Sequence, residues 1–319
     1  MAAPTRDSAW RLRDVLGTYW SDHAKGLKSA SVIFFQFELL SEFLGPDLPI
    51  GDLTSSLLLD YRAARRGGGI KATTDMLERN VAWRRRQIDE KKFVRAVAPQ
   101  TVNRDLANLQ AALNWARDMH GKMIPAINWR GLKAKEAPFR SRFASGDEFA
   151  HLMEAAHPSM RDIILCAVTT GLRRGNIFSM EWHQIDLGAS TITLPIMKGG
   201  KPHTVKIAPA LRAALGRTPT ADRKGRVFDT TNYKRRWTSA VKDAGLVDFK
   251  FHDLRHTFGS WARINGADLL DICEALAHSS VSVTQRYAHV KSDRDTTAFD
   301  RVAQAFGSQS ASQSEAKRA

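Results

Sequence analysis

From Trp10 to about Trp129 apolar residues return every three or four positions, the period of helices with one buried face. The words RLRDVLGTYWSDHA, KSASVIFFQFELLSEFLG, LTSSLLLDYRAARR and TVNRDLANLQAALNWARDMHG carry this period, and Gly45 and Gly121 stand where C-caps belong. The pattern predicts a small all-helical domain over residues 10–128, after an N-terminal extension of residues 1–9. Between Arg65 and Gln100 it gives way to a charged stretch whose glycines, Gly67 to Gly69, break the preceding helix.

A basic linker, RGLKAKEAPFRSRF, falls within residues 129–143, and Ser145 with Glu148 makes a capping box that opens the next helix. In the following segment SMRDIILCAVTTG reads as a helix stopped at Gly171. STITLPI and HTVKIA alternate with period two around the turn KGGK, which predicts a β-hairpin. Helical patterns return at NYKRRWTSAVKDAGL, DLRHTFGSWARING and DLLDICEALAH. Helices around a small antiparallel sheet make residues 144–306 an α+β domain in a mainly α chain. The polar tail GSQSASQSEAKRA, residues 307–319, is expected to be disordered.

Charge narrows the partner. Lys and Arg number 48 against 33 Asp and Glu, a formal charge of +15 with a pI of about 10.1, which favours a polyanion and nucleic acid above all. A membrane partner is disfavoured, because the chain has no apolar run long enough to span a bilayer. MAAPTRDSAW lacks the apolar core of a signal peptide, so a cytoplasmic, nucleoid-associated protein is expected. Cys166 and Cys273 sit in apolar helical words and read as reduced core thiols. The run Arg84, Arg85, Arg86 is balanced by Asp89 and Glu90 and reads as a solvated helix face, with phosphate contact as the alternative. Arg104 joins these three as a candidate DNA-binding residue.

The candidate chemistry is phosphoryl transfer. A phosphodiester repels nucleophiles by its own charge, and two guanidinium forks suit it because they offer paired donors that never deprotonate. Arg173, just past the Gly171 stop, and Arg255 are the candidates. His252 and Arg255 stand three apart and would share a helix face; His256, about 100° around the helix from Arg255, reads as a packing histidine. Tyr287 follows the serine-rich turn SSVS, a placement suited to a mobile nucleophile whose proton His252 would take. His278 would donate to the phosphate. A lysine of the hairpin turn, Lys198 or Lys201, would protonate the leaving oxygen, and position alone does not choose between them.

The words GLRRGNIF, MKGGKPHTV, FHDLRHTFGSW and LAHSSVSVTQRYAH, in this order, resemble those of the tyrosine recombinases, the phage integrase family. The resemblance is strong over roughly residues 140–300 and looser over 10–128. It implies a helical, SAM-like core-binding domain and a catalytic domain closing on double-stranded DNA as a C-shaped clamp. It selects Lys198 as the general acid and leaves Lys201 as a phosphate contact. It further implies a 3′-phosphotyrosyl intermediate, no cofactor and no metal, and protomers that are monomers in solution and assemble as a homotetramer on two duplexes. An accessory DNA-bending or directionality factor belongs to the same expectation.

Three departures stand against that pattern. Asn176 replaces a frequent glutamate, Ala277 replaces the glycine that usually precedes the third-motif histidine, and an arm-binding N-terminal domain is not expected, because the helical pattern starts at Trp10. The amphipathic segment SDRDTTAFDRVAQAF is expected to dock on a neighbouring protomer. Two rival functions fit the same composition: a type IB topoisomerase or telomere resolvase, and a DNA-binding regulator without catalysis.

Overall fold

The computed structural model describes residues 10–71, 93–195, 202–278 and 280–288. Arg84, Arg85, Arg86, Lys198, Lys201, the segment after Tyr287 expected to dock, and the polar tail lie outside these residues. Two compact units divide the chain, residues 1–138 and 139–319.

In the first unit the four helical words form α1 (Leu12–Asp22), α2 (Ala30–Leu44), α3 (Ser55–Gly67) and α4 (Pro99–His120), followed by a single turn, α5 (Trp129–Leu132). Gly68 and Gly121 close α3 and α4 in the left-handed conformation, and Pro99 opens α4, where its missing N–H costs nothing. Their apolar stripes meet in one core that includes Leu16, Leu39, Leu40, Leu58, Leu109 and Leu113. Burying each such side chain contributes about 1.5–3 kcal/mol relative to exposure. Within it Arg65 pairs with the fully buried Asp105 at 3.1 Å, and the Tyr61 hydroxyl donates to the same carboxylate oxygen at 3.0 Å. Burial pushes the Asp105 carboxyl up despite the cation beside it.

The second unit opens with α6 (Gly146–Ala155), whose capping box pairs Ser145 with Glu148 as the sequence predicts. Arg142 holds that glutamate and keeps its carboxyl below the ordinary range. Next come α7 (Pro158–Thr170) and the short α8 (Arg174–Phe178). The sheet is antiparallel in the order β1 (Ile185–Asp186), β2 (Thr191–Leu194), β3 (His203–Lys206). Ile192 faces Val205 across the predicted hairpin, and Ile192, Leu194 and Val205 turn inward to the core. The strand β1 and the helix α9 (Pro209–Gly216) were not expected from the pattern. Then α10 (Tyr233–Asp243), α11 (Asp253–Ile264), α12 (Leu269–Ala275) and α13 (Val281–Thr284) lead into a tight turn, Gln285–Tyr287. The mainly α chain with a small antiparallel sheet is thus the architecture the sequence predicts. Among the described residues no helix is long and apolar enough to cross a membrane.

Candidate active site

Arg255 sits in the first turn of α11 with only 4% of its surface exposed. Its two terminal nitrogens donate to the carbonyls of Gly171 and Leu276, each at 2.6 Å. These carbonyls cap the C-terminal ends of α7 and α12, where the helix dipoles present negative charge to a buried cation. Gly171 stands two residues before Arg173, and Leu276 two residues before His278. One buried guanidinium therefore fixes the backbone of two other candidate segments, and its own plane is fixed in return.

Local packing explains why Gly171 ends its helix so tightly. Its φ is +63°, and a Cβ built there would lie 2.6 Å from both Leu276 Cδ2 and Phe258 Cδ1. Arg173 then takes the N-cap of α8 in extended conformation and is exposed. The next arginine is committed elsewhere: Arg174 donates to the Tyr233 hydroxyl at 2.6 Å and lies over the rings of Phe178 and Tyr233. Both arginines of the GLRR word are exposed, and Arg174 is the one engaged by Tyr233 and Phe178.

His252 is the exposed N-cap of α11, and His256, one turn later, is buried; their rings meet edge to face, 5.1 Å between centroids. The Nδ1 atom of His256 lies 3.2 Å from the Tyr287 hydroxyl. His256 is buried, as the packing reading expects, and it also touches the hydroxyl of the candidate nucleophile, which that reading did not include. The residue that matters for its direction is His252, four positions earlier, and not Arg255. The phenol thus meets His256, a contact that the spacing of His252 and Arg255 does not anticipate. Tyr287 itself is 2% exposed, packed with Ile272 and Leu276, and does not stand out from a loose turn. Its ring covers Gly259, where a Cβ would fall 2.5 Å from Tyr287 Cζ.

His278 is half-buried, and its Nδ1 lies 2.8 Å from Oγ1 of the fully buried Thr284, three residues before Tyr287. That contact orients the imidazole and couples it to the tyrosine segment. Ala277, at the position noted as a departure, adopts φ +46°, a left-handed conformation that favours glycine. His203 of β3 contacts the Ala275 carbonyl through Nε2 at 3.1 Å and so holds the hairpin against α12. Arg104 is an exposed residue of α4 in the first unit. Among the described residues no group of three or more His, Cys, Asp or Glu side chains is placed to hold a metal ion.

One unit holds a buried, carbonyl-anchored arginine, an exposed arginine two residues from one of those carbonyls, three histidines and a tyrosine hydroxyl in contact with one of them. This set can bind an oxyanion and pass a proton from a phenol.

Comparison with known proteins follows the same lines. Residues 142–294 match the phage integrase family. The integrase of Escherichia phage 186 is 26% identical over 296 residues, covering 88% of this chain and 78% of that protein. The integrase of Salmonella phage P22 is 27% identical over 188 residues, covering 53% of this chain; the chain spans about half, 49%, of the P22 protein. Among solved structures, the Tn1549 transposon integrase in complex with a circular intermediate DNA superposes with a TM-score of 0.64. That match covers 92% of this chain and 98% of the other at 13% identity, a likeness of fold.

Proposed function

Because this chain belongs to the phage integrase family of tyrosine recombinases, we propose that it is a site-specific recombinase that cleaves and rejoins strands of double-stranded DNA, with Tyr287 as the nucleophile. The reading rests above all on Arg255, whose bonds to the Gly171 and Leu276 carbonyls hold the Arg173 and His278 segments around one point.

In this mechanism Arg173, Arg255 and His278 bind the non-bridging oxygens of the scissile phosphate and stabilise the charge that gathers there. The Tyr287 oxygen attacks phosphorus and its proton passes to a histidine, a role supported by the His256 contact with the hydroxyl and by the His252 ring against His256. The bond to the 5′ oxygen breaks as the 3′-phosphotyrosyl bond forms, and Lys198 gives that oxygen its proton. A 5′ hydroxyl from a partner duplex then reverses the step, so the phosphodiester energy is kept and no nucleotide cofactor is consumed. Lys201, Arg104 and the run Arg84 to Arg86 hold the DNA backbone. Four protomers act on two duplexes, in the cytoplasm, with an accessory factor setting direction and a mobile element as the cargo.

The test is recovery of DNA covalently bound to the protein from cells, with the attached ends sequenced. Ends at one recurrent site, with recombinant product from two copies of that site, support the reading. Supercoil relaxation without exchanged product would replace it with a topoisomerase, and DNA binding without any adduct with a regulator.

A further inference from the structure

The basic segment before α6 does more than connect. Arg140 makes a two-pronged contact with Asp253, Nε to Oδ1 at 2.8 Å and a terminal nitrogen to Oδ2 at 2.7 Å. Its other terminal nitrogen reaches the Asp248 carboxylate at 2.6 Å, and the Asp248 carbonyl accepts a further bond from the same guanidinium. Asp253 is 1% exposed and is the first residue of α11; Asp248 holds φ +46° in the turn that leads to it. His252 lies between the two aspartates, so a single guanidinium spans the turn that presents it. The contact also continues along one face of α11. Four residues after Asp253, the Thr257 hydroxyl accepts from the Ala144 N–H at 3.0 Å; four further on, the Trp261 Nε1–H donates to the Ala144 carbonyl at 3.0 Å. Residues 140–144 are thereby fastened along the helix that carries His252, Arg255 and His256.

We infer that Arg140 is a positioning residue for strand cleavage: through Asp253 and Asp248 it sets the orientation of His252 at the N-cap of α11, so the segment entering the catalytic unit is mechanically joined to a proton-transfer group. This rests on the function proposed above. A buried carboxylate is specified best by a planar fork with matching geometry, which lysine cannot reproduce. Arg140 is engaged by aspartates, and its action is on cleavage and not on DNA affinity.

The experiment compares wild type, Arg140→Gln, Arg140→Lys, His252→Asn and the Arg140→Gln/His252→Asn double variant, all full length. The probe is a nicked duplex carrying the sequence recovered from cells, which traps the covalent adduct. Single-turnover adduct formation at saturating DNA is expected to fall at least tenfold in Arg140→Gln and less in Arg140→Lys, with DNA affinity within twofold of wild type. In the double variant the Arg140 effect should largely vanish, because the residue through which it acts is gone. Effects that multiply independently, or an unchanged rate, overturn the inference, and so does weakened DNA affinity with normal cleavage, which marks a phosphate contact. The wild-type lane reports separately on the proposed function. If it forms no adduct, the His252 ring resonances decide the positioning claim: a titration midpoint moved by Arg140→Gln supports it, and an unmoved one overturns it.

Discussion

His256 Nδ1 lies 3.2 Å from the hydroxyl of Tyr287, and both side chains are buried, at 4% and 2% exposure. A buried phenol that loses such a partner costs about 1–3 kcal/mol. His256→Ala is therefore expected to lower the unfolding free energy by about that amount in urea titration. It should also slow adduct formation while leaving DNA affinity within about twofold. Equal stability and equal rate would show that the contact contributes to neither.

Gly259 provides the surface on which the Tyr287 ring lies, since an added Cβ would come within 2.5 Å of Cζ. Gly259→Ala must displace the ring, an overpacking change worth about 1–3 kcal/mol. The loss should disappear when Tyr287 is replaced by alanine, because the displaced ring is then absent. A loss of the same size in both backgrounds places the strain elsewhere in α11.

Two left-handed positions border the Arg255 anchor, and they should respond in opposite directions. Gly171→Ala combines a φ of +63° with contacts at 2.6 Å to Leu276 and Phe258 and should destabilise strongly, by about 2 kcal/mol or more. Ala277→Gly relaxes a φ of +46° and should raise stability by up to about 1 kcal/mol after the added chain entropy of glycine. Thermal melts of both variants test the pair, and an Ala277→Gly protein that melts lower than wild type contradicts it.

Cys166 is fully buried, and burial pushes its thiol up to about 12. Thiolate is the reactive form, so at about pH 8 a thiol reagent should label Cys166 only after denaturation. The folded state holds this proton more tightly than the unfolded state. The associated stability is present below the ordinary thiol value of 9.0 and is lost as pH rises toward about 12. Cys166→Ala should remove that part of the alkaline loss in a pH series of urea titrations, and an unchanged alkaline slope would argue against it.

Signals confined to a few neighbouring residues were readable in the chain. The Ser145–Glu148 capping box, the Gly171 stop and the alternation around KGGK each act locally, and each appears where the pattern put it. The two-residue strand β1 is too short to carry a period, and α9 announces itself only by Pro209 and one apolar face. At the candidate site, the spacing of His252 and Arg255 placed both at the start of one helix. The same reasoning set His256 aside, because its partner arrives from thirty-one residues away along a path that no local rule specifies. Arg140 was hidden for a related reason: in a run of linker arginines and lysines, nothing in the sequence tells which one meets a buried aspartate.

The most direct test of the account is the identity of the residue joined to DNA. Adduct trapped on a nicked substrate would be digested with nuclease and trypsin, and cleavage after Arg286 and Lys291 releases the peptide YAHVK. The account predicts nucleotide mass on Tyr287 of that peptide and none in Tyr287→Phe. Nucleotide on any other residue, or adduct persisting in Tyr287→Phe, would contradict it.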